Sequence, residues 1–338
     1  MTKKSLRIPS GEMQDVLYRL FLKHGFSEAK AQMLAKVHTE STLDGVNSHG
    51  INRVPLFIEY IKKGVVMVDR EAEKAEVFGN IERWDGHQGS GIINAVKCTR
   101  RAIELAKLHG MGMVALRNTN HWMRGGTYGW MAADADCISI CFTNTQANMP
   151  PWGGKDSRTG NNPFIVSIPR EGGHHVVLDM AMSQFAFGKI HDYKLRGEKL
   201  PYPGGWDEEN ELSRDPEKIL ANERGLPIGY WKGSALSMIL DMLASLLSAG
   251  DSTRHIAARD YETGISQVYL CIYPEIFKDR DLQDKLLGEI IEYTRDVAPM
   301  HSGDRTYYPG ERSFHTRTRN LEEGIPVSDE VWQKIVNL

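Results

Sequence analysis

Gly89-Ser90-Gly91-Ile92-Ile93-Asn94 (GSGIIN) is the stretch on which the fold class turns. It carries the first two glycines of the dinucleotide fingerprint G-x-G-x-x-G and opens a helical pattern, so a Rossmann crossover is the first hypothesis to test. Asn94 stands where the third glycine belongs, and that glycine is what lets helix and strand approach closely. The preceding residues, Ile81-Glu82-Arg83-Trp84-Asp85-Gly86, are charged, whereas a central parallel strand is apolar on both faces. No acidic residue stands about 20 positions on to hold a ribose. The segment therefore reads as a turn that starts an ordinary amphipathic helix, Ile92–His109, closed by Gly110.

Working outward, residues 10–64 read as helices. Ser27-Glu28 is a helix start, and the turn formers Gly45-Val46-Asn47-Ser48-His49-Gly50 break the pattern before a second helix from about Arg53, which ends near Gly64. Downstream, Glu82–Asp85, Met113–Leu116, Cys137–Phe142, Phe164–Ile168, Val176–Met180 and Ser266–Tyr273 have strand character. Phe164–Ile168 and Val176–Met180 bracket a turn-rich segment and are expected to pair as a hairpin. Tyr193–Pro227, rich in Gly, Pro, Asp and Glu, reads as a long surface excursion. In the strong helix 233–249, Leu236, Ile239, Leu240, Leu243, Leu246 and Leu247 match the i, i+3, i+4, i+7 template. Further helices are expected at Leu282–Val297 and Asp329–Val336.

The chain has 338 residues, 41% hydrophobic and 25% charged, with a net charge of -3. That is an ordinary globular composition with room for two domains. No Lys/Arg stripe of the kind nucleic acid demands is present. The nearest approach, Arg312–Arg319, reads equally as a solvated or a phosphate-contacting tail. Cys98, Cys137, Cys141 and Cys271 form no CxxC pair and are expected as thiols in a reducing compartment. No apolar run follows the basic start, and Ser234–Ala249 is too short for a bilayer and contains Asp241. A soluble, cytoplasmic protein is expected, with no membrane and no nucleic-acid partner.

Four clusters carry the chemistry. In Ser48-His49-Gly50-Ile51-Asn52-Arg53, a histidine that can donate a proton lies four residues before an arginine that can fork onto a carboxylate. Spacing alone favours a His-containing turn with a surface arginine. Arg117–Gly126 (RNTNHWMRGG) is a polar loop with a ligand-approaching composition, or a structural turn around His121. Met149–Lys155 and Gly160–Pro163 offer glycines that permit close backbone approach. Tyr230–Ser234 puts Lys232 at a helix start, a seat for pyrophosphate or an ordinary capping turn. His174-His175 point to opposite faces of an extended chain, and no catalytic metal is expected.

Taken together, these segments resemble the malate/L-lactate dehydrogenase type-2 family, which lacks the Rossmann fold. The matching pieces are Ser48-His49-Gly50 with Asn52-Arg53, Ala115–Gly126, Met149–Gly154, Asn162-Pro163, Leu178-Asp179-Met180, Gly229–Ser234, Gly264–Gln267 and Pro309-Gly310-Glu311. The resemblance implies an α+β fold: a cofactor domain at 76–304 with a mostly antiparallel sheet, and a helical substrate-side domain made of 1–75 with 305–338. It implies that His49 is the proton donor, with Ser48 beside it, Arg53 on the substrate carboxylate and His121 near the substrate. It implies cofactor contacts from His175, Val176, Val177, Leu178, Asp179, Met180 and Ala181, from Trp231 and Lys232, and from Gly310, Glu311 and Arg312. NAD is the implied cofactor, NADH being preferred and NADP the alternative. The implied assembly is a homodimer with a shared active site, and the implied substrate a small carboxylate-bearing sugar acid. The expected reaction is reduction of a 2-oxo group. Malate, lactate or ureidoglycolate dehydrogenases and cyclic imine acid reductases would use the same His–Arg pair. A cofactor-free sugar-acid isomerase or lyase, or a binding protein without chemistry, are the readings from other classes.

Overall fold

The computed structural model describes residues 5–338. Its centre is a seven-stranded sheet in the order Glu73–Phe78, Ile81–Asp85, Met111–Asn120, Thr263–Ile272, Ile138–Thr143, Phe164–Ile168, Val176–Met180. Within it only Ile81–Asp85 and Met111–Asn120 run parallel, and every other neighbouring pair is antiparallel. The helix Gly91–His109 makes the crossover between the parallel pair. The GSGIIN turn thus does lie between a strand and a helix, but nothing extends that unit into a doubly wound sheet. Asn94 explains why. Its side chain is buried in the turn, donating to Gly86 O at 3.0 Å and Thr119 Oγ1 at 2.9 Å and accepting from Ala72 N–H at 2.7 Å. The amide thus brackets three segments around the turn. The α+β expectation, with a mostly antiparallel sheet that is not a Rossmann fold, holds.

The period of two along the strands divides the core. Val114, Leu116, Tyr269, Cys141 and Ile165 face the helices Gly91–His109 and Gly126–Ala133. Ala115, Val268 and Phe142 face the other way, towards Leu240 and Ala244 of the helix Trp231–Ser248. The first core continues without a break into the helices Ser10–Lys23, Glu28–Leu43 and Val54–Lys62. The two ends of the chain meet there: Ser5–Ile8 pairs antiparallel with Ile325–Ser328, followed by the helix Asp329–Val336.

Three features differ from expectation. The excursion Tyr193–Pro227 is not structureless. It follows on from the helix Phe187–Arg196, includes the helix Pro216–Asn222, and packs around Phe185, Ile190, Leu200 and Ile219. Asp215 starts the second of these helices by accepting from the Glu217 and Lys218 amides ahead of Pro216. The tail Arg312–Arg319 is neither loose nor simply solvated: Glu311–Glu323 is a helix, docked by Asn320 Nδ2–H on Leu43 O at 2.8 Å. In Trp231–Ser248 most of the leucine stripe does not face the core. Ser234, Ser237, Leu240, Ala244 and Ser248 are buried, while Leu236, Met238, Ile239, Met242, Leu243 and Leu246 are exposed. Small side chains let the helix approach the sheet closely, and the large ones are left outside.

Among the described residues no helix is long and apolar enough to cross a membrane. All four cysteines are unpaired and buried.

Candidate active site

The loop that presents His49 is fastened from behind by the helix Glu28–Leu43. Gly45, at φ 84°, ends that helix, and two short 3-10 turns follow, Asn47–His49 and Ile51–Arg53. Thr42 Oγ1 donates to His38 O at 2.7 Å and accepts from Ile51 N–H at 2.9 Å. His38 is wholly buried against Phe21 and Phe57, and its Nδ1–H donates to Gly50 O at 3.2 Å. Burial pushes its pKa down to about 4, so near neutral pH it is an uncharged bracket. A Cβ on residue 50 would lie 2.3 Å from Thr42 Oγ1, so only glycine lets the loop sit this close.

His49 is half-buried, with its Nδ1 3.0 Å from Ser48 Oγ. His121, from the loop after Met111–Asn120, lies against it, the ring centroids 5.7 Å apart and the planes 23° from parallel. Both rings, with Ser48, line a cavity of about 400 Å³. Burial and then the Arg53 guanidinium hold the His49 pKa below its ordinary value; Arg124 adds to this and the Asp179 carboxylate opposes it. Burial, Arg53 and His49 push His121 well below its ordinary value. Arg53 reaches both imidazoles electrostatically but is not among the residues of the cavity wall, and its Nη2 lies 3.8 Å from Glu262 Oε2.

The opposite wall comes from the sheet edge and the tail. Val177, Leu178, Asp179 and Ala181 line the cavity together with Pro309, Gly310 and Ser313. Val177 N–H donates to Pro309 O at 2.9 Å. Gly310 has φ 95°, and a Cβ there would approach Val177 N to 3.0 Å. The helix Glu311–Glu323 therefore starts at the rim of the cavity, where unsatisfied helix N–H groups favour an anion. Gly126 N–H donates to Asp179 Oδ2 at 2.9 Å, fixing that carboxylate.

The other expected contacts lie elsewhere in the single chain. His175 Nε2 meets Asp134 Oδ1 at 3.0 Å, and its Nδ1 accepts from Arg170 N–H at 2.9 Å. Val176 and Met180 do not line the cavity, and Met180 packs against the Phe142–Met149 side of the core. Glu311 is turned inward, accepting from Arg305 at 2.9 Å and from Tyr308 N–H at 3.2 Å, with Arg295 at 3.4 Å. Arg312 stacks over Tyr307 at 4.4 Å. Trp231 and Lys232 are exposed at the start of the long helix, outside the cavity.

One side of the wall has no counterpart in the sequence reading. Arg124 stands there only as one residue of a polar loop, Arg317 only as one residue of the basic tail Arg312–Arg319, and Asp44 carries no signal at all. Arg124 is buried and pairs with Asp44, its Nε lying 3.8 Å from Asp179 Oδ2. Asp44 also accepts from Arg317 Nε–H at 2.5 Å. Alternating charges thus run from the tail helix to the cavity. No local pattern could have revealed contacts between residues 273 positions apart. Among the described residues no cluster of three or more His, Cys, Asp or Glu could hold a metal ion.

This architecture is found in known enzymes. The sequence profile of malate/L-lactate dehydrogenase matches residues 8–336, and the chain belongs to that family. It is an oxidoreductase acting on CH–OH or keto groups. A 2,3-diketo-L-gulonate reductase from Citrobacter koseri is 40% identical over 331 residues, covering 98% of this chain and 99% of that one. Malate dehydrogenase from Entamoeba histolytica superposes with a TM-score of 0.93 at 25% identity over 99% of both chains. Sulfolactate dehydrogenase from Methanocaldococcus jannaschii gives 0.87 at 26% identity, covering 98% of this chain and 95% of that one.

Proposed function

We propose that this protein reduces a small 2-oxo acid with NADH, the substrate being 2,3-diketo-L-gulonate and the product 3-dehydro-L-gulonate. The observation that carries the reading is the pair of imidazoles, His49 and His121, in one cavity with the sheet edge Val177–Ala181 and the helix start at Gly310. The similarity to a 2,3-diketo-L-gulonate reductase along nearly the whole chain supports the choice of acid.

The residues present fit a nicotinamide cofactor. The cavity is within the usual range for ligand sites, about 300–1,000 Å³. Backbone closes on backbone at Gly310 with no room for a side chain, and the helix N-terminus beside it suits a phosphate. When bound, the reduced nicotinamide supplies the hydride. His49 holds the proton that the developing alkoxide takes up, and Ser48 Oγ fixes its ring through Nδ1. Arg53, which is not part of the cavity wall but acts on both imidazoles electrostatically, is assigned the substrate carboxylate. A 3.8 Å contact with Glu262 is a weak claim on a guanidinium, which leaves its fork available. Val177, Leu178, Asp179, Ala181 and Gly310 hold the cofactor, and NADPH is the alternative to NADH. Residues 1–75 with 305–338 serve as the helical substrate side and 76–304 as the cofactor side.

The active form in this reading is a homodimer. The apolar face of Trp231–Ser248, with Leu246 72% exposed, is a surface that an isolated chain would not leave in water. It begins at Trp231 and Lys232, which a second copy would bring towards a neighbouring cavity.

The test is reduction of 2,3-diketo-L-gulonate, pyruvate, oxaloacetate and a cyclic imine acid side by side, with NADH and with NADPH. The diketo acid with NADH should give the highest kcat/KM, and a higher value for another acid would reassign the substrate. Arg53→Lys should raise KM with little change in kcat, because an ammonium cannot reproduce the fork. A fall in kcat alone would remove Arg53 from the carboxylate.

A further inference from the structure

A neutral imidazole carries its hydrogen on one ring nitrogen only. At His121 the backbone makes that choice. Met123 N–H donates to His121 Nδ1 at 2.9 Å, so Nδ1 is bare and the hydrogen sits on Nε2. Met123 adopts φ 65°, the left-handed region that non-glycine residues rarely occupy. Strained backbone of this kind collects at functional sites, and here it turns an amide back onto the ring two residues before it. Trp122, between them, is buried, and its carbonyl accepts from Tyr128 O–H at 2.6 Å, so the loop is fixed on both sides. Among the described residues nothing accepts a hydrogen bond from Nε2, while the ring lines the His49 cavity. Burial, the Arg53 charge and the neighbouring His49 all disfavour a second proton on this ring; Asp179 and Arg124 are the other charged groups of the wall.

The two rings lie nearly parallel, their centroids 5.7 Å apart, and both line the cavity. One ring gives up a proton. The other, with a locked tautomer, can only donate a hydrogen bond. Two such groups suit two oxygens on neighbouring carbons.

We propose that His121 is a fixed Nε2–H donor to a second substrate oxygen, on the carbon next to the carbonyl served by His49, so that the site selects 2-oxo acids oxygenated at the adjacent carbon. This rests on the reductase reading and deepens it by assigning a residue to the second oxygen of the substrate. A site that hydrogen-bonds a substrate oxygen discriminates strongly against an analogue lacking it, because the buried donor is left unpaired.

The experiment has two arms. In the first, kcat/KM is measured for a 2,3-dioxo acid and for pyruvate, which lacks the adjacent oxygen. His121→Ala should lose about 10²-fold or more with the dioxo acid, as for removal of a single preorganised donor, and should lose markedly less with pyruvate. His121→Gln, whose amide N–H can stand near the position of Nε2–H, should recover part of the loss. In the second arm, 15N NMR of the wild-type protein should show His121 as the neutral Nε2–H tautomer across about pH 6 to 8, where an unperturbed histidine titrates. An Nδ1–H tautomer, or titration of His121 in that window, overturns the donor assignment. An active wild type whose His121→Ala variant loses equally on both acids overturns it too, and leaves the reductase reading intact. A wild type that oxidises no reduced nicotinamide with any 2-oxo acid overturns both.

Discussion

Replacing His49 by alanine is expected to lower turnover by about 10²–10⁴-fold, the usual worth of a positioned general acid, with binding of the reduced cofactor nearly unchanged. In the proposed reaction the ring contributes a proton and one wall of the cavity, whereas the proposed cofactor contacts lie on Val177–Ala181 and at Gly310. The same residue sets the pH profile. Reduction needs the protonated imidazole, so kcat/KM must fall as pH rises through the His49 pKa. Burial and Arg53 depress that pKa, which places the falling limb on the acid side of about 6.5, the unperturbed value. The Asp179 charge works in the opposite sense, so Asp179→Asn should move the limb further towards acid. Unchanged turnover in His49→Ala, or a limb on the alkaline side, would take His49 out of the proton transfer.

The largest loss of stability is expected at Asp44. Its carboxylate, 5% exposed, sits between Arg124 and Arg317. Asp44→Ala leaves the Arg124 guanidinium buried without its partner, and breaking a buried pair in this way costs about 3–5 kcal/mol. Urea unfolding should show it as a lower midpoint at constant slope. The double variant Asp44→Ala with Arg124→Met should regain much of the loss, because it removes the orphaned charge as well. A single variant within about 1 kcal/mol of wild type, the range of exposed ion pairs, would show that the pair does not hold the tail helix against the cavity.

Much of the architecture was legible because local chemistry and tertiary structure agree. Phe164–Ile168 and Val176–Met180 are short apolar runs flanked by turn formers, and they pair as strands with those bounds. The helix expected at Asp329–Val336 is present with those bounds. Rejecting the Rossmann reading at Asn94 rested on a missing glycine, and the structure supplies the positive reason, an amide bracketing the turn. What failed to show did so for physical reasons. Glu311–Glu323 has few apolar residues, so no periodic stripe marks it; its helix is held by Asn320 and Arg317, whose partners Leu43 and Asp44 are distant in the chain. The leucines of Trp231–Ser248 revealed the helix but not its orientation, since a stripe is equally regular whether it faces a core or a solvent-exposed surface. At the site, the His49 turn was legible as a break between helices, whereas His38 and Thr42, which fasten it, lie further back in what reads as an ordinary helix.

Transfer of deuterium from NADH labelled at the nicotinamide C4 tests the central claim most directly. With 2,3-diketo-L-gulonate as substrate, mass spectrometry of the product should find the label on the carbon that has become a carbinol, and His49→Ala should suppress its appearance. Product formed without the label, or with the labelled NADH unconsumed, would contradict a hydride-transferring reductase.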